Sequence, residues 1–362
     1  MNWLHFCGRG ATPCCPASHE GSAGGARPSR LFAVDVHCHV MTMAAEALVA
    51  SHPMKLAEPA AMREAMGEAS VAHNLKTMLP QAFPKLTRVE QRLADMDAMG
   101  VDVQVISPSP NQYYYWAEPD LAREVVHVQN QNIAALCTAY PARLRGLGTV
   151  ALQHPALAAE QLEHAVRTLG LQGVEISTSV EGRELDDPSL EEFWAMADRL
   201  KAVVFIHPFG TTLGARLATH YLNNTIGQPL ETTIALSRLI FSGLLDRHRG
   251  VRLLAAHGGG YLPTYLGRSE HANAVRPEAR LMARKPSEYL REIYFDTVVH
   301  DSLALRHLIE IVGVSQVLLG TDYPFDMGHY RPQELVSPTW KAHEREAVLG
   351  GNARRLFDLS AR

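Results

Sequence analysis

Cysteine is scarce in this chain: there are five among 362 residues, three of them (Cys7, Cys14, Cys15) crowded into the first thirty. That count and placement exclude a disulfide framework and suit a reducing compartment, so a cytoplasmic location is expected. No apolar run approaches the ~20 residues needed to cross a bilayer, and the N-terminus lacks the apolar core of a secretory signal. Positive charge is not in excess either, because lysine plus arginine (34) fall short of aspartate plus glutamate (38). Nucleic acid and anionic membranes are therefore not expected partners, whereas a small molecule is. Phosphate loops are missing as well. No GxGxxG follows the first apolar run and no GxxxxGKS or GxxxxGKT occurs, which argues against a doubly wound nucleotide-binding sheet.

What remains is ordinary globular material, 46% hydrophobic and 20% charged, enough for one large core. Residues 1 to about 30, ending in GSAGGARPSR, are rich in glycine, serine, alanine and proline; they read as a disordered lead, a processing segment or an upstream mis-start, outside the fold. From Leu31 onward eight short apolar runs recur: 31–40, 101–106, 145–150, 173–176, 202–207, 252–257, 293–296 and 315–322. Stretches with helical spacing separate them, at 86–100, 119–140, 155–170, 188–201, 229–248 and 302–313, several opening at proline or serine and closing at glycine. Repeated strand and helix in this order predict a parallel α/β sheet closed as a (β/α)8 TIM barrel, one domain over 31–362.

Barrel enzymes place their chemistry at the C-terminal ends of the strands. The first run ends in Asp35-Val36-His37-Cys38-His39, and alternation with period 2 turns His37 and His39 to one side and Cys38 to the other. The fifth run ends at His207, the sixth at His257 and the eighth at Asp322, each just before a loop. A lone histidine in an apolar strand is more often packed core than ligand, but five polar residues converging on one rim are not explained that way. Three neutral imidazoles and a carboxylate suit one divalent ion: zinc first, with manganese, iron or cobalt also compatible, and a water completing the site. Four ligands, His37, His39, His207 and Asp322, leave His257 as the spare acid/base, with Asp322 able to share that task. An ion so held lowers the pKa of its water toward ~7. Of the remaining histidines, His300 and His329 could reach the pocket, although surface positions are expected for both. Gly258-Gly259-Gly260 reads as room for a tight turn beside His257 rather than as a phosphate site.

The segments DVHCHV, DMDAMGVDVQVIS, RLRGLGTVALQ, GVEIST, FIHPFG, LLAAHGGGYLPTYLGR, KPSEYLREIYFD, LLGTDYPFDMG and GNARRLF, spanning about Val34 to Phe357, resemble the amidohydrolase superfamily in its aminocarboxymuconate-semialdehyde decarboxylase-like branch. The resemblance implies a zinc site of His37, His39, His207 and Asp322, with His257 as catalytic acid/base. It also implies a homodimer in which Arg268 and Arg276 reach the neighbouring site and bind a carboxylate, for which guanidinium geometry is suited. Two departures bear on the substrate and a third on the number of ions. The Phe-Arg-Pro-Val segment of that decarboxylase is absent between Met41 and Arg88, Phe209 stands where it usually has tryptophan, and Glu175 replaces a neutral residue. Glu175 is read as orienting a ligand histidine, not as bridging a second ion. Trp116, in the NQYYYWAEPD loop, and Phe209 are expected to stack on the substrate.

The expected activity is decarboxylation of a small carboxylated aromatic or muconate-type acid, with metal-bound water and His257 handling the proton. Metal-dependent hydrolysis of an amide, lactone or ring-cleavage product, or hydration, is the alternative on the same site. A non-catalytic barrel would show a lost ligand or a lost His257, and neither is lost.

Overall fold

The computed structural model describes residues 30–336 and 340–359. The N-terminal lead expected over 1–30 lies, Arg30 apart, outside them. Eight parallel strands follow in chain order: β1 (Val34–Val40), β2 (Val103–Pro108), β3 (Leu144–Gly146), β4 (Gly173–Ile176), β5 (Val203–Ile206), β6 (Arg252–Ala255), β7 (Tyr294–Asp296) and β8 (Val317–Leu318). Pairing runs β1-β2-β3 in one ladder and β4-β5-β6-β7-β8 in another. Two isolated bridges, Gly148 with Val174 and Cys38 with Tyr323, join the ladders at both seams. Backbone bonds from Val36 N to Leu319 O (2.9 Å) and Asp322 N to His37 O (2.8 Å) complete the second seam. The ring is closed, as a (β/α)8 barrel requires.

Six of the eight strands are shorter than the apolar runs that encode them. The run 315–322 keeps only two ladder residues, because beyond Leu318 the backbone lifts out and bonds across to β1 instead. Around the barrel lie α1 (Val89–Met99), α2 (Pro119–Ala139), α3 (Pro155–Arg167), α4 (Glu191–Leu200), α5 (Gln228–Phe241), α6 (Leu266–Val275) and α7 (Ser302–Val312). Their ends follow the sequence signals. Pro119 and Pro155 open α2 and α3, the Asp301 carboxylate caps α7 by accepting from the backbone of Leu303 and Ala304, and Gly100 closes α1 in the left-handed region.

Alternation sorts the core into an inside and an outside. Val203 and Phe205 of β5, Leu254 of β6 and Leu318 of β8 pack inward with Val34, Val36, Val103 and Val105, while Ala353, Leu356 and Phe357 join them from the chain's C-terminal segment. Val204, Ile206, Leu253, Phe295 and Val317 face the helices, with Leu236, Leu239 and Trp194 among their partners. The register of β1 on β2 shifts between Asp35 and Cys38. An extra residue there resets the alternation, so Val36 and His37 both face inward and His39 follows.

Between β1 and α1 the chain forms helices at Met43–Val49, Pro53–Met66, Glu68–His73 and Leu79–Thr87. The sequence shows no clean apolar stripe over Pro53–Met66, and that helix buries none of its residues.

Candidate metal centre

At the C-terminal rim the inward positions change from apolar to ligand-bearing. His37 and His39 are fully buried on β1, His207 follows β5, His257 follows β6 and Asp322 follows β8. The Nε2 atoms of His37 and His39 lie 3.3 and 3.4 Å from the same oxygen, Asp322 Oδ1. Ligand atoms of His37, His207, His257 and Asp322 all fall within 4.8 Å of one another. His37 Nε2, His39 Nε2, both ring nitrogens of His207 and Asp322 Oδ1 are buried and lack a hydrogen-bond partner. Buried polar atoms are normally satisfied, so such a cluster needs an occupant. Two ligands each ~2.1 Å from one ion at a tetrahedral angle stand about 3.4 Å apart, which the Nε2 to Oδ1 separations match.

Each ring is aimed by what its other nitrogen does. His37 Nδ1–H donates to Asp296 Oδ2 at 2.5 Å, and His39 Nδ1–H donates to the Pro108 carbonyl at 3.0 Å. Both leave an Nε2 lone pair facing the centre. Burial, with the neighbouring imidazoles of His39 and His37, holds His207 well below the usual histidine range, hence neutral and able to coordinate. Burial would raise the Asp322 carboxyl, but the charge of His37 and the close approach of the His257, His37 and His39 rings hold it well below the ordinary value. For His37, burial is likewise outweighed, by Asp322 and Asp296, and its pKa rises well above the ordinary range; an arriving ion would displace that proton.

By distance the third imidazole is His257, whose Nδ1 is also buried and unpartnered, rather than the expected His39, although His39 Nε2 too comes within 3.4 Å of Asp322 Oδ1. Exposure separates them: the His39 side chain is 0% exposed and that of His257 is 17%. His257 and Asp322 also line a cavity of about 350 Å³ with Asn224, Gln228, Tyr261 and His300. His257 Nε2 lies 3.7 Å from Asp322 Oδ2. His300, expected on the surface, thus borders the pocket, whereas His329 turns to the Arg331 carbonyl.

Trp116 and Phe209 do not line this cavity. Trp116 stacks on His52 with ring centroids 4.4 Å apart, and Phe209, half exposed, meets Tyr113 edge-on. Arg268 and Arg276 are exposed on and just after α6, and Arg276 pairs with Glu278. Within one chain, then, neither arginine reaches the cavity lining. Cys38 points to the helix side, its thiol on the Val105 carbonyl. Glu175 is buried, which raises its pKa; it accepts from Tyr113 Oη at 2.5 Å and approaches His39 Nδ1 to 3.5 Å.

Two supporting residues escape a reading of strand ends. Asp296, the last residue of β7, accepts from His37 Nδ1 and from the backbone of His257 and Gly258 (2.9 Å each). The signal was present as an aspartate closing the run IYFD, at the same inward position as the histidines. Arg92 of α1, 2% exposed, donates to Gln104 Oε1 at 2.8 Å and to the His39 carbonyl. Gln104 passes the contact to Asp35, which holds the His37 backbone N–H and Thr321. Nothing in the local pattern of α1 marks Arg92, because its partners come from other strands.

A family model for amidohydrolase matches residues 34–359. A 2-amino-3-carboxymuconate-6-semialdehyde decarboxylase from Dictyostelium discoideum is 35% identical over 272 residues, covering 74% of this chain and 76% of its own. The structure of 5-carboxyvanillate decarboxylase from Sphingomonas paucimobilis superposes with a TM-score of 0.77 at 25% identity, over 91% of this chain and 99% of that one. A dihydroxybenzoic acid decarboxylase from a Polaromonas species, solved with bound manganese and the inhibitor 2-nitroresorcinol, gives 0.76 at 22% identity, over 92% and 98%. The barrel, its rim of histidines and these matches together show that the chain belongs to the amidohydrolase family.

Proposed function

We propose that this chain is a metal-dependent carboxy-lyase acting on a small carboxylated aromatic or muconate-type acid. One observation carries the metal dependence: unpartnered, buried His37, His39, His207 and Asp322 atoms converge beside a cavity large enough for one ring. Decarboxylation, as against hydrolysis, is supported by the activities named for the relatives.

His37, His39, His207 and Asp322 would hold one divalent ion, zinc on the resemblance and manganese on the Polaromonas precedent. Once bound, it acts as a Lewis acid that stabilises negative charge on the substrate's oxygens. His257, partly exposed where the ligand cluster meets the cavity, delivers a proton to the carbon bearing the carboxylate. The bond from that carbon to the carboxyl group then breaks, its electron pair stays with the substrate skeleton, and carbon dioxide leaves. Asp322 steadies the imidazolium form of His257 before transfer. Glu175, through its approach to His39, keeps that ring in place.

Arg268 and Arg276 are assigned to the neighbouring site of a homodimer, where they bind the substrate carboxylate; their exposure supports this. Phe209, two residues past His207 with an open ring face, is placed as a stacking wall. Trp116, occupied by His52, packs the loop instead. Among the described residues no helix is long and apolar enough to cross a membrane, and the scarcity of cysteine supports a cytoplasmic location.

The test is metal content by mass spectrometry on wild type and His207→Ala, paired with carbon dioxide release over a panel of carboxylated aromatic and muconate-type acids. Wild type should hold about one ion per chain and release carbon dioxide, and the variant should do neither. Metal without carbon dioxide from any acid would shift the reading to hydrolysis or hydration. No metal after repletion would sink the site.

A further inference from the structure

Three adjacent strands deliver a side chain to the cavity by the same device. His257 after β6, His300 after β7 and Asp322 after β8 all line it, and their backbones are left-handed, with φ of 55°, 58° and 57°. For a residue with a Cβ this conformation costs roughly 1–2 kcal/mol and persists where surrounding structure holds it. Nine described non-glycine residues have positive φ, and these three are the ones that border the cavity. At His257 the hold is Asp296, which accepts from its N–H; at Asp322 it is the bond from its N–H to the His37 carbonyl. Both deliver groups that the proposed reaction uses.

His300 is presented in the same way and has no such role yet. Its imidazole makes no hydrogen bond with any described residue, and it is exposed toward the opening. The cavity it borders is lined also by Asn224, Gln228, Tyr261 and His307 beside apolar Val299 and Met327, with no lysine or arginine among the described lining residues. Such a wall suits a neutral group that both donates and accepts, a ring hydroxyl, better than a second carboxylate, which would call for a cation there.

We propose that His300 is a specificity-determining residue that hydrogen-bonds a ring hydroxyl of the substrate. The inference rests on the carboxy-lyase reading for what happens to the carboxylate, but its binding component is separable. A site built to pair a hydroxyl discriminates against the analogue lacking it, because its own polar group is left unpaired.

The experiment is calorimetric titration of metal-loaded wild type, His300→Leu and His300→Asn with 2-nitroresorcinol and with nitrobenzene, and carbon dioxide release from hydroxylated benzoates in parallel. Wild type should prefer 2-nitroresorcinol at least tenfold. His300→Leu should lose most of that preference while binding nitrobenzene as before, and His300→Asn should regain part of it. Metal content should stay the same in all three. Equal weakening for both compounds in His300→Leu, an unchanged preference, or no preference in wild type would overturn the proposal. Absence of carbon dioxide with the preference intact would instead overturn the carboxy-lyase reading and leave the His300 contact standing.

Discussion

At the scale of single residues, the centre depends on groups that do not face the substrate. Asp296 is fully buried, and burial would raise its pKa, but the His37 hydrogen bond and charge hold it below the ordinary value. It therefore stands as a carboxylate that fixes the His37 tautomer and anchors the turn into His257. Replacing Asp296 by Asn keeps the shape and removes the charge. Partners of ligand histidines typically contribute 10–100-fold to metal affinity, and Asp296→Asn should weaken the ion by about that factor in a chelator competition. An unchanged affinity would mean that His37 is oriented by packing alone, for instance by Phe205, whose ring lies edge-on at 5.1 Å.

Elements explain why the turn after β6 can be so tight. The turn after β6 runs through Gly258, Gly259 and Gly260, all at positive φ. At Gly260 (φ 65°, ψ −132°) a Cβ would stand 2.0 Å from the Pro229 carbonyl of α5, a backbone atom that cannot swing aside. The backbone region and the clash both demand glycine, so Gly260→Ala should cost on the order of 3 kcal/mol or more, read as a lowered urea midpoint. Because α5 and the His257 turn would separate together, carbon dioxide release should fall as well. A variant with wild-type midpoint and wild-type rate would show that the two elements are free to part.

At the scale of the whole molecule, the proposed ligands and acid/base all come from one chain, but among the described residues no guanidinium lines the cavity. If a neighbouring copy supplies Arg268, light scattering should report about twice the monomer mass. Arg268→Ala should raise KM tenfold or more, with metal content unchanged and kcat less affected. A monomeric, fully active wild type would remove the arginines from the site. Exposed apolar side chains in the β1 to α1 segment (Leu56, Leu75) and around α6 (Tyr265, Val275, Leu281) are candidates for such a contact.

The amino-acid sequence by itself determined the barrel and the residues on its rim. Short apolar runs separated by helical stretches allow few other closures, and period 2 along a strand puts the last inward residue of each run at the C-terminal end. That is why the order of residue types alone marks His37, His39, His207, His257 and Asp322. On β1 the strand is irregular between Asp35 and Cys38, yet both histidines still turn their rings toward Asp322. Tertiary structure alone decided the rest. Arg92 and Gln104 matter through contacts that no local pattern encodes, and Asp296, although it closes a run as the histidines do, gains its role from His37, 259 positions away. Trp116 left the expected substrate wall because His52, on the helix-rich segment after β1, arrives to stack on it. His300 joined the cavity because a left-handed turn, invisible in a string of residue types, carries its ring over the rim.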